Sequence, residues 1–383
     1  MTNASRRLHC PRLLLVGCLI AIALPLLVRE HEQTIALVRE QIAAAREQGV
    51  SKREQVAERT PFNKTGSAEQ YIMNNLDKLG FGRDDNPRTC GVWTDPDFTT
   101  PEVLDSLNKY AKDLENYTQI MESFDPVPNL MDKIRHNKGD DVCNSLRLHP
   151  DGIAGLFPSE QLSFTSSGYA EPLLPPMRHH AMCKNRRANI MRLDYLVHDF
   201  EFMCRKLKPT SRLVLLDMGA SLDFHGKKDQ PIITLLRQYE KMGFIFDHIY
   251  GFEVVEKKPE DVFDLLPEEY MKSYHWINVG VTAKEGDKLN PLHSIIKTLD
   301  VDDFVVVKLD IDTPSIEFAL VSQILHDKDG VYGNLIDQFY FEYHVHLGEL
   351  AGPWGRTMNG TVKDSLELFS KLRAKGIPAH FWP

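Results

Sequence analysis

The sequence predicts an α/β fold, a doubly wound parallel sheet with helices on both faces, and three observations carry that prediction. From about Asn189 onward, short apolar runs alternate with amphipathic stretches, separated by brief turns. Three of the apolar runs stop at an acid: residues 213–216 at Asp217, 249–252 at Glu253, and 304–309 at Asp310-Ile311-Asp312. Pro231, Pro259 and Pro314 open the stretches that read as helices, where a missing backbone donor costs nothing. Ligands of such sheets sit at the carboxyl ends of the strands, so the three acids mark one candidate cleft.

Each element follows from its local pattern. Residues 190–206 read as an amphipathic helix and 213–216 as a buried strand. Helices are expected at 231–242, 259–266, 292–299, 314–325 and 362–375, the last closed by Gly376. Thr313 is placed to cap the helix at 314. Strands are expected at 248–252, 275–281, 304–309, 335–343 and 377–382. The run at 304–309 is dominated by β-branched and apolar residues.

Upstream the pattern differs. Residues 13–28 form an uncharged apolar run of 16 residues that reaches about 24 Å as a helix, somewhat short of a ~30 Å hydrocarbon core. Arg6, Arg7 and Arg12 precede it, and Glu30 and Glu32 follow. That asymmetry predicts a cytosolic tail at 1–12, a signal anchor at 13–28 and a lumenal remainder, in the endoplasmic reticulum or Golgi. A cleaved signal peptide fits the same run. Residues 29–86 read as stem and linker. Ile35, Val38, Ile42 and Ala45 make a helical stripe of two heptads, either a weak self-association element or a solvated helix. Residues 87–188 read as an accessory region of short helices and long loops, with a helix at 102–120, and 189–383 as the catalytic domain.

Composition bounds the rest. Hydrophobic and charged fractions of 42% and 26% are ordinary for a globular protein. A formal net charge of −9 argues against a general nucleic-acid surface. Asn63, Asn116 and Asn359 open glycosylation sequons. Cys90, Cys143, Cys183 and Cys204 lack zinc-ligand spacing and read as two disulfides, with three pairings open.

Asp217-Met218-Gly219-Ala220 gives a turn in which small residues let a cofactor lie against backbone amides. It is not a full dinucleotide fingerprint. Glu253 is placed to accept the hydroxyls of a ribose. Asp310 and Asp312 can bind a cation or orient a substrate hydroxyl. Glu342, His344 and His346 follow with period two, on one face if the strand continues that far. His344 is then a candidate general base beside Asp310. The same five residues, Asp310, Asp312, Glu342, His344 and His346, can bind a divalent cation, with Asp310, Asp312 and His344 the candidate ligands put first.

Residues 211–345 resemble the FkbM-type family of S-adenosylmethionine-dependent methyltransferases. The likeness rests on Asp217-Met218-Gly219-Ala220-Ser221, Phe252-Glu253-Val254, Asn278-Val279-Gly280-Val281 and Val307-Lys308-Leu309-Asp310-Ile311-Asp312, in that order. It implies a Rossmann-like methyltransferase sheet, S-adenosyl-L-methionine as cofactor, cofactor contacts at Asp217, Gly219, Ala220 and Glu253, and an active-site edge at Asp310 and Asp312. The chain departs from the family with Asp223 at the second glycine, Val254 for proline, and Thr313-Pro314 for the glycine after the last acid.

Three functions are therefore expected in competition. The first is an O-methyltransferase acting on a hydroxylated glycan, lipid or small molecule. The second is a metal-dependent nucleotide-sugar glycosyltransferase using Asp310-x-Asp312. The third is a methyltransferase-like module without catalysis.

Overall fold

The computed structural model describes residues 67–128, 130–136, 139–146, 173–178, 180–184, 193, 196–221 and 231–382. The signal anchor, the heptad stripe, Asn63 and residues 222–230 with Asp223 lie outside them. Among the described residues no helix is long and apolar enough to cross a membrane.

Six parallel strands form one sheet: β1 (Leu213–Met218), β2 (His248–Phe252), β3 (Tyr274–Ile277), β4 (Phe304–Leu309), β5 (Gln338–Phe341) and β6 (Ala379–Phe381). Their spatial order is β3-β2-β1-β4-β5-β6, every pairing parallel. The direction of winding reverses between β1 and β4, which makes their carboxyl ends the topological switch point. All six side chains of β1 and of β4 are buried, as a sheet covered on both faces requires.

Five helices matter for the argument: α1 (Pro101–Ser123), α2 (Phe200–Lys206), α3 (Pro231–Lys241), α4 (Pro314–Leu325) and α5 (Val362–Ala374). Each has a visible start signal. Asp199 caps α2 by accepting from the Phe202 amide, and Thr361 with Asp364 forms a reciprocal capping box on α5. Val214, Leu216, Val305, Val307, Phe339 and Phe341 pack with α4 and α5 on one face of the sheet. Leu213, Leu215, Ile249, Phe304, Val306 and Tyr340 pack with α2 and α3 on the other. Burying each such side chain contributes roughly 1.5–3 kcal/mol before the cost of ordering it.

The two apolar cores extend well beyond the sheet. Ile72, Leu76, Leu79 and Phe81 belong to the first, so residues 67–82 of the stretch read as linker are packed and include the helix Ser67–Asn74. Leu107 of α1 joins the first core, and Leu114 and Tyr117 of the same helix join the second. A buried ion pair of 2.6 Å between Arg373 and Glu69 ties α5 to that early helix. Residues 58–383 accordingly form one compact unit. The cysteines pair as Cys90–Cys183 and Cys143–Cys204. Asn116 and Asn359 are both exposed.

Several expected boundaries shift for identifiable reasons. Within the stretch expected as a helix from 190, the described residues 196–198 are not helical and a helix runs from Phe200 with Asp199 as its cap. The helix expected at 292–299 divides into Pro291–Ser294 and a 3-10 turn at Ile296–Thr298. Strand β5 starts at Gln338 after a short helix, Val331–Leu335, and stops at Phe341, so Glu342, His344 and His346 do not ride on a continuing strand. The Thr313 hydroxyl donates to the Ile311 carbonyl and makes no cap bond.

Candidate functional site

Asp217 and Lys308 are register partners on β1 and β4 and are both buried. A cation inside an apolar strand needs partners, and Lys308 has three at the carboxyl edge. Its Nζ lies 3.1 Å from Asp217 Oδ1 and 3.1 Å from Asp310 Oδ2, and donates at 2.9 Å to the Gly219 carbonyl. Burial disfavours the ammonium, but the two carboxylates outweigh it and raise the Lys308 pKa above its ordinary value. One cation serves two acids unequally. Burial raises the Asp217 pKa despite Lys308. Burial also opposes charge on Asp310, yet Lys308 and a hydrogen bond from Glu342 hold that carboxyl below its ordinary range.

The backbone around this cluster is tightly fitted. Gly219 has φ +90°, and a Cβ there would stand 1.5 Å from the Asp310 carbonyl oxygen. Only glycine fits, because β1 and β4 close on each other at that turn. The Gly219 and Ala220 amides, expected to face a cofactor, both donate to the Phe252 carbonyl at 2.9 Å. They hold the end of β2, and with it Glu253, against the end of β1. Glu253 is half-buried, and its Oε1 accepts from the Val255 amide at 2.7 Å. Asn278 fixes that turn by donating to the carbonyls of Glu253 and Val255.

Two buried groups here make no aligned hydrogen bond among the described residues: the Asp217 carboxylate, whose Oδ1 has only its ion pair with Lys308, and the hydroxyl of Tyr274. Tyr274 reaches in because Gly251, the β2 neighbour of Asp217, has no side chain; a Cβ there would meet its hydroxyl at 2.5 Å. Burial first, then Asp217 and Glu253, raises the Tyr274 pKa.

The polar row continues across β5. Glu342 Oε1 accepts from Trp354 Nε1 at 2.8 Å, and Oε2 lies 2.7 Å from His344 Nε2. Burial, then the neighbouring Asp310, raises Glu342 well above an ordinary carboxyl. His344 is 2% exposed and stacks on Trp354, with centroids 4.7 Å apart. Its Nδ1 meets the Thr357 hydroxyl at 2.5 Å, and that hydroxyl donates onward to the Trp354 carbonyl. Burial lowers the His344 pKa, with Asp312 and Asp310 opposing. Asp312, at φ +53° with its side chain 78% exposed, places Oδ1 3.7 Å from His344 Nε2.

The structure thus brings Asp217, Gly219, Ala220, Glu253, Asp310, Asp312 and His344 to one edge of the sheet. It separates Asp310 from Asp312 in role: the Asp310 carboxylate turns to Lys308, and Asp312 turns to His344. Among the described residues, Asp312, Glu342 and His344 place donor atoms within 4.8 Å of one another, while the Asp310 carboxylate lies against Lys308. His346 points elsewhere, its Nδ1 3.2 Å from Asn86 Oδ1. Sequence reasoning missed Lys308, Tyr274, Trp354 and Thr357 as parts of the site. Only Lys308 carried a signal, as an ionisable residue within a buried run.

No protein-family model, no curated protein and no solved structure matches the chain.

Proposed function

We propose that the chain is an S-adenosylmethionine-dependent O-methyltransferase acting on a hydroxylated acceptor. In this reading it is held by its N-terminal apolar segment in a membrane of the secretory pathway, with the catalytic part lumenal. The observation that carries the reading is the buried Asp217 carboxylate at the switch point, whose Oδ1 has only the Lys308 ammonium it shares with Asp310 and whose Oδ2 has no partner among the described residues. A fully buried carboxylate with one oxygen unpartnered and a shared cation on the other is costly unless a ligand supplies a further donor. An ammonium-bearing cofactor end beside Asp217, with its ribose hydroxyls on the free oxygen of Glu253, satisfies both acids. The resemblance to FkbM-type methyltransferases supports the same assignment.

The acceptor then lies toward β5. Thr357 donates its proton to Trp354, so it takes its other bond from Nδ1–H of a neutral His344, leaving the lone pair on Nε2. That nitrogen is the candidate acceptor of the substrate hydroxyl's proton as the methyl group transfers. Positioning of donor and nucleophile supplies most of the acceleration in such a scheme.

The glycosyltransferase reading needs Asp310 and Asp312 on one ion, and the commitment of Asp310 to Lys308 weighs against it. The test is thermal shift of the full chain, in detergent and with disulfides intact. S-adenosylhomocysteine is expected to stabilise it, and Glu253→Ala to abolish the gain. Stabilisation by a nucleoside diphosphate with manganese instead, lost in Asp312→Ala, overturns the proposal. No stabilisation by either leaves the non-catalytic module as the reading.

A further inference from the structure

We infer that Asp312, Glu342 and His344 form a divalent-cation centre, with Mn2+ the ion its donors suit best. The inference goes beyond the methyl-transfer reading and does not depend on it. It begins with an atom that has no hydrogen-bond partner. His344 Nε2 is buried and unpartnered, although Glu342 Oε2 stands only 2.7 Å away. The contact is short enough for a hydrogen bond but lacks the geometry of one.

The neighbouring bonds say why. The Thr357 proton goes to the Trp354 carbonyl, so Thr357 accepts from His344 Nδ1. Nε2 of the neutral ring therefore carries a lone pair directed among carboxylate oxygens. The two atoms, 2.7 Å apart and out of line, make no aligned hydrogen bond with each other, and a cation between them would serve both in place of the proton that Glu342 shares with Asp310. Adjacent ligands about 2.1 Å from one ion stand about 3 Å apart; here Nε2 and Oε2 are 2.7 Å apart, and Nε2 and Asp312 Oδ1 are 3.7 Å apart.

The surroundings are those of a supported metal site. The second nitrogen of the histidine donates to a hydroxyl, which fixes the tautomer and ring orientation. The second oxygen of Glu342 is held by Trp354 Nε1, and the Trp354 ring packs flat on the imidazole. Glu342 and His344 are thus rigid, while Asp312 approaches from the exposed side with Oδ1 3.7 Å from Nε2. A small rotation of that free carboxylate completes the set. Two carboxylates and one imidazole give an oxygen-rich set for a cation of intermediate hardness. Three protein ligands leave positions open for oxygens of a chelating ligand, such as neighbouring hydroxyls of a glycan or a catechol.

With Mn2+ bound, His344 acts as a ligand and no longer as the base. Any acceptor hydroxyl at the centre is then acidified by the cation itself, as metal-bound water is.

The test uses the full chain, disulfides intact, stripped with chelator, and no methyl donor. Mn2+ is titrated by calorimetry, and the bound ion is examined by pulsed electron paramagnetic resonance. One saturable site per chain is expected, with nitrogen coupling from a single imidazole. Asp312→Asn, at an exposed position that leaves the fold intact, is expected to weaken Mn2+ by about 10-fold or more. His344→Gln is expected to remove the nitrogen coupling. Absence of saturable Mn2+ binding, or binding that Asp312→Asn leaves unchanged, overturns the inference. Either result leaves the S-adenosylhomocysteine experiment unaffected, so the two readings fail separately.

Discussion

Lys308 is the penultimate residue of β4, as Asp217 is of β1, and parallel register sets the two side by side. Every other side chain of β4 is apolar, so the lysine has no reason to be there except its partners. It neutralises two acids that the sheet would otherwise hold unpaired. Lys308→Met keeps the shape of the aliphatic stem and removes the charge. The variant is expected to lose about 3–5 kcal/mol of stability, the usual consequence of stranding buried carboxylates. Adding Asp217→Asn is expected to return part of the loss, because the two positions are coupled. Urea unfolding of the two variants and the wild type checks this; a Lys308→Met protein within about 0.5 kcal/mol of wild type contradicts it. The oddity of Lys308 is visible in the sequence. Its partners are not, because nothing in a single chain states which strands lie adjacent or in what register.

The turn between β4 and α4 is built as one device. Glu317, in the first turns of α4, is buried beneath it and accepts from the Ile311 amide at 2.9 Å. The Thr313 hydroxyl bonds the Ile311 carbonyl at 3.0 Å. Ile311 is thereby held at both backbone groups, and Asp312 is left projecting in a left-handed conformation. Burial, against the Ile311 bond and reinforced by Asp310 and Asp312, pushes the Glu317 pKa from 4.5 up to about 8. The folded state therefore binds a proton that the unfolded chain has released. Stability from this group is full below about pH 4.5 and is lost as the pH rises through about 8. Over that interval, at about 1.4 kcal/mol per pH unit, the loss is on the order of 3–5 kcal/mol. Glu317→Gln keeps an acceptor for Ile311 and cannot ionise. Its advantage over wild type is expected to grow from pH 5 to pH 8 in urea unfolding. An advantage that is constant with pH contradicts this account of the turn.

At the scale of the molecule, the six strands and their helices were legible because periodicity and proline placement are local signals. The three acid-ended strands converge as their sequence pattern implies, since a parallel doubly wound sheet has one ligand edge. What stayed hidden was everything set by pairing across distance. The disulfide connectivity could not be chosen among three options. The turn amides at Gly219 and Ala220 face Phe252 because β2 ends beside β1, which no local pattern reports. The packing of residues 67–82 was hidden for the same reason: it depends on contacts with α5, far along the chain. The Lys363 amide of α5, for example, donates to the Phe81 carbonyl at 2.9 Å.

That interlocking has a measurable consequence. α1 contributes Leu107 to one core and Leu114 and Tyr117 to the other, so it cannot detach without opening both faces of the sheet. The Cys143–Cys204 bridge spans 61 residues and joins the helix Gly139–Ser145 to α2, which packs under β1. Closing so long a loop restricts the unfolded chain, and its removal typically costs about 2–4 kcal/mol. If α1 and the sheet are one cooperative unit, amides of α1 and of β1 exchange through the same opening. Replacing both cysteines with alanine is then expected to lower protection in the two elements by the same amount, as read by hydrogen exchange with mass spectrometry. Loss of protection in α1 with β1 unchanged contradicts this, because it makes the early helices an appendage to the sheet and not part of its core.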